Sequence, residues 1–238
     1  MILVCAAIGL FVGSLLNWAG DCLPYFASGR RVSPRPMPRW MFAVWQLRSS
    51  FTGGNRPTRL EQSSRLNAVV ELFTALLFAY VWERYGLTWN LPWLAFICSF
   101  FILIAVIDMR HRLVLNLMVF PAMAVTLILR VSLPGVDIRS VLIGGAFGLI
   151  VFLLAALVRP GGLGGGDVKL AMLIGFMFGF PDAVWALMLG ILAGGVTATM
   201  LLLARRWTPA SHIPYAPFLC LGALIALFYN PVSLMLHP

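Results

Sequence analysis

SVLIGGAFGLIVFLLAALVRPGGLGGGDVKLAML, residues Ser140 to Leu173, sets two opposite kinds of chain side by side. From Ser140 to Val158 there is no ionisable side chain, and the run is long enough to cross a hydrocarbon core about 30 Å thick, which takes roughly 20 apolar residues as a helix. A surface helix of a soluble protein would carry polar residues along one face, whereas this run is apolar all round. It breaks at Arg159 into a proline, five glycines, Asp167 and Lys169 before a second apolar run begins. The stretch therefore reads as a membrane span ending at an interface, where a glycine-rich segment carries two charges into the mouth of the next helix.

The rest of the chain follows the same pattern. Its 238 residues are 61% hydrophobic and 11% charged, with a mean hydropathy of +0.94, too apolar for a soluble core. The same length criterion picks out spans at roughly 2–19, 67–83, 91–107, 114–130, 140–158, 168–181, 183–204 and 213–232. These predict an all-α polytopic membrane protein of about eight transmembrane helices. The sixth is short and carries Gly175 and Gly179, so it is expected to start with irregular backbone sheltered by its neighbours. The first has no basic residues before it and no A-x-A-like site after it, and reads as a retained helix rather than a secretory signal.

Orientation comes from the basic residues, which concentrate in cytoplasmic loops. With the loop after the first helix inside, alternation leaves only Arg84, Arg130 and Arg139 of the 17 basic residues outside, and both termini fall outside. The net charge of +9 is then a topology signal directed at anionic lipid head groups, and no nucleic-acid partner is needed to explain it. The predicted organisation is a first transmembrane helix at 1–19, an Arg/Pro-rich cytoplasmic loop or small subdomain at 20–66, and a seven-helix membrane core at 67–238. Within the loop, MFAVWQL at 41–47 is too short to span and reads as interfacial or packed. Glycines four apart (Gly9 and Gly13, Gly144 and Gly148, Gly175 and Gly179, Gly190 and Gly194) predict closely approaching helices.

Ionisable residues within or beside a membrane are costly and mark function. Of the eight acidic residues, Asp137 and Asp182 fall in outside loops, Glu83 at an outside helix end, and Asp21 and Glu61 in the cytoplasmic loop, all read as solvated charges. Glu71 opens the second helix about one turn inside the interface, as a functional partner or a snorkelling side chain. Asp108 ends the third helix in ILIAVIDMRHRLVLN, and Asp167 opens the sixth in GGLGGGDVKL. The topology places both at the same depth on the cytoplasmic face. Two carboxyl groups sharing a poorly solvated site do not both ionise easily, and such a pair divides the work of general base and general acid around a water molecule. The alternative is that each pairs with an adjacent base, Asp108 with Arg110 or Arg112 and Asp167 with Lys169. Gly164, Gly165 and Gly166 remove side chains that would block an approaching peptide. No window there spells a dinucleotide fingerprint or a P-loop. Cys5, Cys22, Cys98 and Cys220 form no C-x-x-C pair, and His111, His212 and His237 fit no ligand spacing, so no metal site is predicted. No G-x-S-x-G elbow occurs.

In order along the chain, GLFVGSLLNWAGDCLP, ELFTALLF, IDMRHRLVLNLMVFP, GLGGGDVKLAMLIGFMFG and IPYAPFLCLGAL resemble the segments of the type IV prepilin peptidases, the leader peptidases of type IV pilus, type II secretion and competence systems. The resemblance implies an aspartyl endopeptidase of the cell (inner) membrane that cuts the basic leader from pilin-like precursors on the cytoplasmic side, after a glycine. It places the catalytic roles on Asp108 and Asp167, with Gly165 and Lys169 flanking the second in the G-x-G-D-x-K motif and Asn116 in the segment after the first. The peptidase activity needs no cofactor; S-adenosylmethionine is implied only if methylation of the new N-terminus is retained. The chain departs from the pattern in lacking the two C-x-x-C pairs many members carry in the first cytoplasmic loop, and in having Val114-Leu115-Asn116 where Ile-Pro-Asn is common. Two rival readings are a proton-coupled transporter and a non-catalytic scaffold of a pilus or secretion assembly. The oligomeric state is not legible in the sequence.

Overall fold

Backbone withdrawn from water must satisfy its own N–H and C=O groups, and a helix does so within one segment. The computed structural model describes residues 1–28, 61–86, 91–132, 137–158, 163–203 and 214–229. Among these the regular elements are all α-helical: α1 (Ile2–Ser28), α2 (Glu61–Tyr85), α3 (Leu91–His111), α4 (Asn116–Ser132), α5 (Ile138–Val158), α6 (Gly165–Phe178), α7 (Asp182–Leu203) and α8 (Ala216–Tyr229). Five of them, α1 over Ile2–Pro24, α2 over Leu66–Tyr85, α3, α5, and α7 over Asp182–Met200, are long and apolar enough to cross a membrane. The chain is thus an all-α polytopic membrane protein, as the apolar runs predict. MFAVWQL and the glycines at 161 and 162 lie outside the described residues.

Two helix ends extend further than the apolar pattern. α1 continues past 19 to Ser28, carrying Pro24 near its end, and α2 begins at Glu61 rather than 67. Hydropathy finds the part of a helix that lipid covers; polar turns that emerge from the bilayer carry no such signal.

By internal contacts the chain divides into two units, Met1–Arg110 and His111–Pro238. In the first, α1 and α2 pack at a separation that only glycine permits. A Cβ added at Gly9 would stand 2.7 Å from the Ala75 Cα, and one at Gly13 would stand 2.8 Å from the Glu71 Cα. α3 meets α1 further along, where a Cβ on Gly20 would come within 2.9 Å of the Val106 Cγ1.

The second unit is built around α6. Leu170, Ala171, Leu173 and Ile174 are fully buried, so this helix is apolar on every side because it faces protein on every side. The expected close approaches are observed: a Cβ on Gly148 would fall 2.4 Å from the Ala171 carbonyl oxygen of α6, and one on Gly175 would fall 2.2 Å from that of Gly144 on α5. Gly222 of α8 fits against Gly190 of α7 in the same way, at 2.4 Å from its backbone nitrogen.

At 14 residues, α6 is about 21 Å long and too short to span the hydrocarbon, so both of its ends need local satisfaction. Gly179, with φ of +71°, ends it and donates its N–H to the Gly175 carbonyl at 2.8 Å. The Arg130 guanidinium of α4, itself buried, donates to the Met177 carbonyl. α6 begins at Gly165 rather than 168: Leu163 and Gly164 supply the irregular lead-in, and Gly165 and Gly166 already belong to the first turn.

Candidate functional site

Withdrawing an ionised carboxylate from water costs several kcal/mol unless partners compensate, so burial sorts the acidic residues. Among the described side chains, Asp108 and Asp167 are the two acidic groups in the interior, at 5% and 8% exposure. Asp21, Glu71 and Asp182 are half-buried, and Glu83 and Asp137 are exposed.

Asp108 lies in the last turn of α3, in the first unit. The residue two positions on, Arg110, is tied elsewhere. Its Nη1 donates to the Asn17 carbonyl oxygen at 2.9 Å and to Asp21 Oδ1 at 2.5 Å. Its Nη2 donates to Asn17 Oδ1 at 2.6 Å and to Asn67 Oδ1 at 2.5 Å. Asn17 Nδ2 in turn donates to the Asn67 carbonyl oxygen at 3.1 Å, which closes the network between α1 and α2. Just beyond the helix, Arg112 takes a φ of +53°, the left-handed turn that commonly ends a helix and is usually given to glycine.

Asp167 is the third residue of α6, in the second unit. Its Oδ2 accepts the Gly164 N–H at 3.2 Å while its own N–H donates to the Gly164 carbonyl at 3.0 Å. This reciprocal pair starts the helix early enough to include the glycines, and a carboxylate there also complements the positive end of the helix dipole. Tyr215, next to α8, is close enough to interact electrostatically with Asp167, and its ring packs against Phe152 and Phe218 at centroid distances of 6.0 and 6.5 Å. Lys169 Nζ donates to Asn116 Oδ1 at 2.9 Å and stands 5.0 Å above the Phe120 ring. It therefore fastens the start of α6 to the start of α4.

The three glycines before Asp167 are not equivalent. A Cβ on Gly166 would stand 2.6 Å from the Val114 Cβ, whereas one on Gly165 would meet nothing within 4 Å. One on Gly164 would meet the Asp167 Oδ2 at 3.3 Å. Of the other expected residues, Asn116 joins Lys169 and Gly166 joins Val114 around the start of α6, while Glu71 sits on α2 in the first unit, against Gly13. The sequence reading missed the Asn17, Asp21 and Asn67 cluster. It took Asp21 for a solvated loop charge, but that residue lies in α1 and is ion-paired with Arg110. It also missed Tyr215, whose only signal is a phenol at the entrance of an apolar helix.

A profile of the type IV leader peptidase family matches residues 95–199, which include both aspartates. Over 238 residues the chain is 28% identical to a prepilin leader peptidase/N-methyltransferase of Bacillus subtilis, spanning 97% of this chain and 95% of that protein. It is 30% identical over 167 residues to a protein of the same description from Pseudomonas aeruginosa, covering 68% of this chain and 58% of the relative. A third, from Xanthomonas campestris pv. campestris, is 27% identical over 196 residues, covering 80% and 66% respectively. The chain thus spans nearly the whole Bacillus relative and under two thirds of the other two. No solved structure matches it.

Proposed function

The chain belongs to the type IV leader peptidase family, and from that premise we propose that it is a membrane aspartyl endopeptidase whose catalytic pair is Asp108 and Asp167. Its substrates are pilin-like precursors, cut after a glycine at the cytoplasmic face of the inner membrane. The observation that carries the reading is burial: of the acidic side chains described, these two alone are withdrawn from solvent, and each sits at a helix end rather than in the middle of a span. That position suits a substrate arriving at the membrane surface. It does not suit a proton relay, whose acids line a path across the bilayer.

In the chemistry this pair supports, one carboxylate takes a proton from water as the water oxygen attacks the scissile carbonyl carbon. The other, protonated, donates a hydrogen bond to the carbonyl oxygen. The tetrahedral intermediate collapses when the amide nitrogen receives a proton and the C–N bond breaks, leaving a free carboxylate and a free amine. The step starts from one carboxyl ionised and the other protonated, and the two exchange roles as the proton moves. Open space around Gly165 gives an extended peptide room beside the second aspartate. S-adenosylmethionine would need polar contacts, and the cavity of about 160 Å³ lined by Cys5, Ile8, Phe78, Val81, Leu91 and Ala95 is wholly apolar; no methyl-transfer step is assigned to it.

The test is precursor processing in membranes by Asp108→Asn and Asp167→Asn. Each change should reduce leader removal by at least about 10³-fold, the scale on which catalytic groups that act as a unit fail. A near wild-type rate in either variant removes the pair from the mechanism.

A further inference from the structure

Cleavage by two carboxylates does not call for the polar cluster around Arg110, yet four side-chain hydrogen bonds converge on it among the described residues of the first unit. The Arg110 side chain is 12% exposed. Its two terminal nitrogens carry four N–H groups, and these have four acceptors: the Asn17 carbonyl, Asn17 Oδ1, Asp21 Oδ1 and Asn67 Oδ1. An arginine that only needed a counter-ion would not require acceptors from two different helices.

Helix geometry gives this arrangement a direction. Successive residues turn by 100°, so Val106 and Arg110, four apart, lie on one face of α3, and Asp108, two from each, projects about 200° away. Both members of that face are seated on α1, Val106 against Gly20 and Arg110 against Asn17 and Asp21. Asp108 also lies in the last turn, where the carbonyls lack intrahelical partners and the backbone otherwise frays. We propose that Arg110 is a positioning residue for Asp108: held by Asn17 and Asp21 of α1 and Asn67 of α2, it locks the rotation of the last turn of α3 and so sets the direction of the Asp108 carboxylate. A carboxylate about 5 to 6 Å from a helix axis moves by about 1 Å for each 10° of rotation. A displacement of that size costs about 10²-fold in rate when reacting groups must be aligned. The inference rests on the reading of Asp108 as catalytic.

The experiment uses the full chain reconstituted in lipid, with a precursor made of a basic leader, a glycine at the cleavage site and an apolar helix. kcat per folded molecule and KM are measured for Arg110→Gln, Arg110→Lys, Asp21→Asn and Asp108→Asn. Arg110→Gln should lower kcat roughly 10- to 100-fold with KM within about twofold of wild type. Arg110→Lys should recover part of that loss, and Asp21→Asn, which keeps an acceptor, should lose about 3- to 10-fold and preserves the test if Arg110→Gln does not fold. A wild-type kcat for every folded Arg110 and Asp21 variant overturns the inference, as does a rise in KM alone, which would make Arg110 a contact for the precursor. Asp108→Asn separates the two claims: if it is inactive while Arg110→Gln is normal, only the inference fails, and if it is active, the catalytic reading fails as well.

Discussion

A single methyl group at Gly166 should do what one at Gly165 does not. At Gly166 the added Cβ would lie 2.6 Å from the Val114 Cβ, 3.2 Å from its Cγ2 and 3.5 Å from its Cα, while at Gly165 nothing lies within 4 Å. Carbon atoms prefer separations of about 3.5 to 4.0 Å, so Gly166→Ala forces a shift of about 1 Å between the first turn of α6 and the segment leading into α4. Overpacking of this kind costs about 1 to 3 kcal/mol. Because the turn that moves carries Asp167, cleavage should fall by about 10- to 100-fold. Gly165→Ala replaces an exposed helical glycine and should leave thermal stability unchanged or raise it by up to about 1 kcal/mol. The identity of the clashing atom sharpens the test. Val114→Ala keeps the Cβ and should not rescue Gly166→Ala, whereas Val114→Gly removes the Cβ and Cγ2 and leaves only the 3.5 Å contact. The assay is a double-mutant cycle of melting temperature in detergent and of precursor cleavage in membranes. Equal damage from Gly165→Ala and Gly166→Ala, or rescue by Val114→Ala as complete as by Val114→Gly, would refute the steric account.

Arg130→Ala should destabilise the second unit by about 3 kcal/mol, since it strips the Met177 carbonyl at the end of α6 of a buried donor and leaves a hole; the melting temperature should fall while cleavage per folded molecule holds. Asn116→Leu should cost no more than about 1 kcal/mol, the upper end for a solvent-exposed charged contact. Asn116→Asp, which keeps an acceptor for Lys169, should clean up most of that loss, and melting curves of the two variants check the order.

The long apolar helices were legible because lipid imposes a pattern with few exceptions: α5, expected at 140–158, is found at Ile138–Val158. The shorter helices lost their boundaries to local bonds. The start of α6 depends on the Asp167 carboxylate receiving the Gly164 N–H, and glycines that read as a loop are thereby drawn into the first turn. Asp21 illustrates a different limit. Its partner Arg110 lies 89 positions away, and no spacing rule joins them. Hydropathy also ended α1 before Asp21, since the helix beyond 19 leaves the apolar pattern and passes through Pro24. Shared depth and motif resemblance single out Asp108 and Asp167 in the sequence, because few ionisable residues fall near the membrane, and the structure buries both. What depth does not supply is the partner of each neighbouring cation. The alternative pairing of Asp167 with Lys169 gives way to a bond from Lys169 to Asn116, and Arg110 is bonded to Asp21 and two asparagines.

The two proposed catalytic aspartates share one rule of helical geometry. Each aspartate is followed two residues later by a cation, as Asp108-Met109-Arg110 and Asp167-Val168-Lys169. A base three or four positions away shares the aspartate's face only while the helix continues; after Asp108 those places fall on His111, the last residue of the helix, and on Arg112, which leaves it with a φ of +53°. A base two positions away faces the opposite flank, free to bind a neighbouring helix. Arg110 binds α1 and α2, and Lys169 binds α4. The same short motif therefore directs the charge that anchors a helix end away from the flank that carries the carboxylate. On this account, the cations matter less for the charge they bring to the aspartates than for the helix rotation they hold.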